Sequence, residues 1–196
     1  MKVFALLPCL LLSVAFLSAA PVATPTADHV LKADRTRSFI EVDVKSTAKN
    51  FTARLDNYEA KLTADDAGKV KSAVITFKFT DLKTGEVERD AEMIKWLGGG
   101  SPEGRFDLGI LALAPDGQGQ VTGKLTMHGE TQLVEFPVNS QRTTDTFVVN
   151  GGVTVDYRNW GLKVIKKALV LKVDPEVRVR FKLTAVTPDT TSLVKP

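Results

Sequence analysis

Cysteine and histidine are nearly absent from this chain: of its 196 residues one is Cys and two are His. A histidine cluster for a metal ion cannot be assembled from two residues, which excludes the usual metalloenzyme chemistries. The single Cys9 lies inside an N-terminal apolar run that reads as a cleaved segment. The remaining chain then has no disulfide, no thiolate metal site and no cysteine nucleophile. An excess of one charge is lacking too. Lys+Arg 26 against Asp+Glu 23 gives a formal +3, too balanced to make a nucleic-acid or anionic-membrane footprint. No Gly-x-Ser-x-Gly elbow occurs, and Gly98-Gly99-Gly100-Ser101 lacks the Gly-Lys-Ser/Thr continuation that cradles phosphate. That glycine run reads as a helix stop and a loop. Carboxylate groups such as Asp65-Asp66, or Glu88 with Asp90 and Glu92, read as solvated turn and helix-face charge. The residues therefore point to a protein that is not an enzyme and carries no cofactor.

What is present begins with a targeting pattern. Lys2, an apolar run from Val3 to Leu17 and the small residues Ser18-Ala19-Ala20 follow the plan of a secretory signal peptide, expected to span residues 1–20. The run contains Pro8 and is shorter than the ~20 residues that cross a bilayer, so no stable membrane insertion is expected after cleavage. Residues 21–29 read as a linker and 187–196 as a polar tail. The domain expected over 30–186 is large enough to bury roughly 70% of its unfolded surface without a staple.

Within the domain the apolar period is two almost throughout, the signature of half-buried strands. Residues 73–79 place Ile75, Phe77 and Phe79 on one side, and 105–112 do the same with Phe106, Leu108 and Ile110. Leu125 and Met127 alternate in 121–127, Phe136 in 134–138 and Val155 in 153–157. In 177–183 Phe181 belongs to an apolar face opposed by Arg178, Arg180 and Lys182. Further strands are expected at 39–44, 51–63, 146–150 and 168–173. Turn chemistry separates the strands at Asp65-Asp66-Ala67-Gly68, at 115–119, at His128-Gly129-Glu130, at Asn150-Gly151-Gly152 and at Asp174-Pro175. Residues 86–97 lack a period of two; Val87, Met93, Ile94 and Leu97 suit one helical stripe.

The fold class is thus all-β and antiparallel, about eight strands or more with one short helix. Periodicity leaves a barrel and a sandwich open. A barrel of eight strands is filled by side chains or holds one small ligand, and an apolar inner wall would make that ligand apolar. Trp96 and Trp160 either rim such a cavity or plug one end of the barrel.

Thr122-Gly123-Lys124-Leu125-Thr126-Met127-His128-Gly129-Glu130-Thr131 resembles the Thr-Gly-x-Leu-Thr-x-His-Gly-x-Thr segment of the YceI-like family. Thr84-Gly85 with Arg89-Asp90 resembles that family's Thr-Gly…Arg-Asp stretch, and residues 156–162 its late Arg-x-Asp-Phe-Gly segment. The resemblance implies a lipocalin-like barrel, periplasmic or secreted, that holds a long-chain polyisoprenoid or similar amphiphilic lipid, an isoprenoid quinone among them, in its lumen. The resemblance also implies a binding protein, since family members have no established catalytic residues. Three departures stand out: Glu92 replaces a family histidine, Lys95-Trp96-Leu97 replaces an aromatic-rich stretch, and Tyr157 and Asn159 match a family Arg and Asp. These positions are expected near the barrel mouth, where they would change head-group preference.

The residues expected to line the lumen are Ile75, Phe77, Phe79, Phe106, Leu108, Ile110, Leu125, Met127, Phe136, Val155 and Phe181, with Tyr157 and Trp160 near a mouth. Arg89 and Asp90 are expected to pair with each other, and His128 to bond the turn backbone. The alternative function is a solidly packed barrel serving as a structural or interaction module of the cell envelope. Either could form a homodimer.

Overall fold

The computed structural model describes residues 28–65, 69–143, 145–167 and 171–186; the expected signal peptide, most of the linker and the polar tail lie outside them. The strands are β1 (His29–Ala33), β2 (Phe39–Val44), β3 (Phe51–Leu55), β4 (Glu59–Ala64), β5 (Val70–Lys78) and β6 (Leu82–Lys83). After the helix α1 (Val87–Trp96) come β7 (Glu103–Leu113), β8 (Gln118–Met127), β9 (Glu130–Arg142), β10 (Thr146–Asp156), the short β11 (Lys166–Lys167) and β12 (Leu171–Lys172), and β13 (Glu176–Val186). All pairings are antiparallel. The order β1-β4-β5-β7-β8-β9-β10-β13 returns to β1, closing an eight-stranded barrel, while β2, β3 and β6 extend the sheet from β13 and add Ile40, Val42, Phe51, Ala53 and Leu82 to the cavity wall. His29, read from sequence as linker, is the first residue of β1 and pairs with Ala64.

Closure rests on β13, which shares one edge between two strands. Arg178 through Lys182 pair with β2, and Ala185 and Val186 pair with β1. The chain moves from one partner to the other through a 3-10 turn at Arg35–Arg37, capped by the Asp34 side chain. Thr184 falls between the two pairings and is satisfied by the turn itself. Its N–H donates to Ser38 Oγ at 2.9 Å, its hydroxyl to the Arg37 carbonyl at 3.1 Å, and its carbonyl accepts from the Asp34 N–H at 2.8 Å. Both Thr184 and Ser38 are buried.

The basic stripe of β13 meets acids across the strand. Arg180 donates to Asp43 at 2.5 and 3.0 Å and lies 3.1 Å from Glu41, both on β2. The Arg180 hydrogen bond holds the Asp43 carboxyl below the usual carboxylate range. Arg180 therefore makes the cross-strand ion pair of this stripe, favouring the observed β2–β13 register.

Three expectations are corrected. Ile110 faces outward, 63% exposed, because β7 takes an extra residue between Leu108 and Ile110; the alternation flips there and Leu111 turns inward instead. Asn150-Gly151-Gly152 is not a turn: β10 runs through it, paired continuously with β13 from Thr146 to Asp156. Val87 leaves the apolar stripe of α1 and is 86% exposed. The rest of the stripe holds, with Met93 and Ile94 packed on the core and Leu97 buried. The glycines that end the helix take positive φ, which their missing Cβ permits.

Ser38→Ala leaves the buried Thr184 N–H without its acceptor. It is expected to cost about 1–3 kcal/mol and to lower the melting temperature by roughly 2–12 °C, read by calorimetry. Because the folded Asp43 pKa lies below its unfolded value, its contribution is complete above pH ~4 and lost as pH falls through the folded value. Asp43→Asn is expected to be less stable at neutral pH, with a shallower loss of stability on acidification.

Candidate functional site

The barrel is not filled by its own side chains. A cavity of about 660 Å³ occupies its interior, within the roughly 300–1,000 Å³ typical of small-molecule sites. One end carries the buried cluster of Leu31, Ala64 and Ala185, packed by Leu62. At the other end the wall becomes polar. Every charged residue on it comes from two segments, Lys49 on one side and Glu86, Glu88, Arg89 and Glu92 on the other, joined by Ser46 and Thr84. The mouth thus opens between the loop after β2 and the first turns of α1.

An eight-stranded barrel lined with phenylalanine would ordinarily close its own lumen. Glycines on neighbouring strands prevent it. Gly151 of β10 lies directly opposite Phe181 of β13, and a Cβ there would come within 2.6 Å of the Phe181 ring and 2.9 Å of Val138. Gly104 of β7 stands opposite Phe77 of β5, whose ring occupies the place a Cβ would take. The Phe106 ring likewise lies over Gly123 of β8. Each ring is laid across the adjacent strand, and the centre stays open. Phe136 joins Phe106 and Phe181 in one aromatic wall, at centroid distances of 6.0 and 5.7 Å.

The polar groups near the mouth are anchored on backbone. Tyr157 is buried, and its hydroxyl points to the Val173 carbonyl at 3.5 Å; burial pushes its pKa up, so it stays a neutral donor. Trp96 meets Tyr157 edge-on at 5.0 Å and donates its Nε1–H to the Lys163 carbonyl at 2.8 Å. Trp160 sits behind the wall, 1% exposed, with its Nε1–H on the Leu125 carbonyl at 3.0 Å. His128 takes a positive φ in the β8–β9 turn and, with its Nδ1 protonated, donates to the Trp160 carbonyl at 3.0 Å. The histidine ties the hairpin to the 3-10 turn at Tyr157–Trp160, instead of bonding its own turn as expected from sequence.

Arg89 and Asp90 do not pair with each other. The Arg89 guanidinium lies 4.2 Å above the Phe51 ring, while Asp90 accepts from the Thr84 N–H at 2.9 Å and the Thr84 hydroxyl at 2.7 Å. Asp90 pins the start of the helix, and Arg89 is left at the mouth over an aromatic face. Among the described residues no three His, Cys, Asp or Glu are grouped to hold a metal ion.

Of the residues expected on the lumen, Ile75, Phe77, Phe79, Phe106, Leu108, Leu125, Met127, Phe136, Val155, Tyr157 and Phe181 lie along the cavity. Ile110 does not, because of the β7 bulge, and Trp160 does not, because it is buried behind the wall on the Leu125 carbonyl. Sequence reasoning did not place Leu111, Val149, Met93, Lys49 or Glu86 on the wall. Met93 carried a signal, its place on the helical stripe. Leu111 carried none that outweighed strict alternation.

The architecture recurs in solved structures. Burkholderia cenocepacia BcnA is 19% identical, with a TM-score of 0.65 over 78% of this chain and 99% of that one. A polyisoprenoid binding domain from Saccharophagus degradans, implicated in plant cell wall breakdown, is also 19% identical, with a TM-score of 0.60 over 83% of this chain and 99% of its own. The Campylobacter jejuni YCEI protein is 14% identical, with a TM-score of 0.58 over 72% and 87% of the two chains. No curated protein matches the sequence. The YceI-like domain matches residues 31–185, which covers the barrel from its first strand to its last, and the chain belongs to the YceI-like family.

Proposed function

We propose that this protein binds a long-chain polyisoprenoid or a similar amphiphilic lipid in the barrel lumen, for transport or sequestration, without chemistry on it. The observation that carries the reading is an unfilled apolar lumen, uncharged except at one mouth. An apolar chain is held by burial alone: several hundred Å² of prenyl surface contributes on the order of 10 kcal/mol before ordering and association costs. The head group lies at the mouth, where Lys49 and Arg89 face Glu86, Glu88 and Glu92. This mixed set suits an uncharged polar head, such as a quinone, better than a strong anion. Membership of the YceI-like family and the likeness to the S. degradans polyisoprenoid binding domain support the ligand class. The N-terminal targeting pattern supports action in the periplasm or outside the cell. An open lumen weighs against the alternative of a packed structural barrel.

Protein purified from a bacterial periplasm and extracted with organic solvent is expected to release a prenyl lipid or quinone in near-stoichiometric amount, identified by mass spectrometry. Clean, empty and stable protein would instead favour the packed-barrel reading. Gly151→Ala pushes Phe181 off the wall and into the lumen. The overpacking is expected to weaken lipid binding by about 1–3 kcal/mol, roughly 5- to 150-fold, as measured by displacement of a fluorescent apolar probe.

A further inference from the structure

The charge balance of the whole chain conceals a local separation. Residues 157–173 contain five bases and no acid, and residues 44–50 contain two lysines and no acid. The fold joins the two segments into one lip of the mouth. The Thr47 N–H donates to the Lys172 carbonyl at 3.0 Å, the Lys172 N–H to Thr47 Oγ1 at 3.0 Å, and the Asp174 N–H to the Lys45 carbonyl at 2.8 Å. Ile165 and Val173, which flank the β11–β12 hairpin, line the cavity, as does Ser46.

Within that hairpin Lys166 stands directly opposite Lys172, and both are exposed. Like charges facing across a strand pair oppose the pairing, so an anion outside the hairpin would relieve a repulsion the fold itself leaves in place. Several bases elsewhere meet acids, Arg37 with Asp34, Lys71 with Asp65, Arg105 with Asp107 and Arg180 with Asp43, and other single lysines such as Lys32 and Lys69 stand apart from one another. Lys45, Lys163, Lys166 and Lys172 form no ion pair among the described residues. The facing lip, at the start of α1, carries Glu86, Glu88 and Glu92 against the one base Arg89, which lies over Phe51, so attraction to a negative surface is strongest on the hairpin side.

We propose that the basic lip formed by Lys45, Lys163, Lys166 and Lys172 docks on an anionic lipid bilayer, setting the lumen mouth against the surface that supplies or receives its lipid. The cargo in this proposal rests on the lumen reading; the docking does not. The test is sedimentation of the full protein with vesicles of phosphatidylcholine alone or with about 30% phosphatidylglycerol, at low salt and at about 0.5 M salt, where surface charge is screened.

Binding is expected only to the anionic vesicles and only at low salt. The triple variant Lys45→Glu, Lys166→Glu, Lys172→Glu keeps like charges across the hairpin and is expected to lose about five-fold in partitioning for each lysine removed, on the order of 100-fold in all. The corresponding Gln variant, checked for folding by circular dichroism, should lose about that 100-fold from neutralisation alone, and the Glu variant at least as much because it adds repulsion. Lys32→Glu with Lys69→Glu, away from the mouth, should change little. Equal sedimentation with both vesicle types, no sedimentation, or equal loss in the mouth and control variants would overturn the proposal. Solvent extraction of the same preparations separates the two readings. An empty protein that still sediments with anionic vesicles removes the lumen reading and keeps the docking; a lipid-loaded protein that ignores them does the reverse.

Discussion

A sheet can enclose a lumen only if its last strand finds its first, and here that depends on one edge of β13. Five of its residues pair with β2 and two with β1, so the edge changes partner partway along its length. At such a change a buried backbone group would be left unpaired. Thr184 occupies the point, and the capped turn at Asp34 to Ser38 supplies what the strands cannot. The barrel therefore leaves no free edge at its seam. Its interior positions have no partner sheet to pack against and must either meet in the middle or leave a void.

This chain leaves the void, and the reason is distributed over several strands. Phenylalanine is a large side chain whose inward rotamers would fill an eight-stranded barrel. Placing glycine across from Phe77 and Phe181, and diagonally from Phe106, gives each ring a flat seat on the wall. The strand interiors give up the propensity that a β-branched residue would contribute at those glycines. The ring-over-glycine contact returns part of that loss as dispersion. Phenylalanine and glycine together make a wall that is thick in apolar atoms but thin in cross-section.

Much of this was legible in the sequence because alternation is a physical consequence of the pleat. The inward faces of β5, β8, β9 and β13 follow it without exception at Ile75, Phe77, Leu125, Met127, Phe136 and Phe181. The helix was legible as the one interruption of that period. What was not legible involves glycine, whose meaning depends on what lies across from it. Asn150-Gly151-Gly152 has the composition of a turn, yet it is a seat for an aromatic ring on another strand. Neither could the partners of Arg89 and Asp90 be read from their adjacency, since neighbouring residues on a helix diverge and each met a different element. The basic lip was hidden for a further reason: a whole-chain sum cannot show that residues 44–50 and 157–173 are brought side by side.

The bulge in β7 has a meaning for how tightly that strand is indexed against β8. On either side of it the sequence offers apolar residues at consecutive positions, Leu108 before it and Ile110-Leu111 after it. Moving the extra residue by one would still present an apolar side chain to the lumen, so hydrophobicity alone does not locate it. The backbone favours this placement: a Cβ at Gly109 would meet the Thr122 carbonyl at 3.0 Å, closer than side chains ordinarily come. The phase of the outer half of β7, and with it which of two adjacent aliphatic residues sees solvent, is set by a residue that has no side chain to bury.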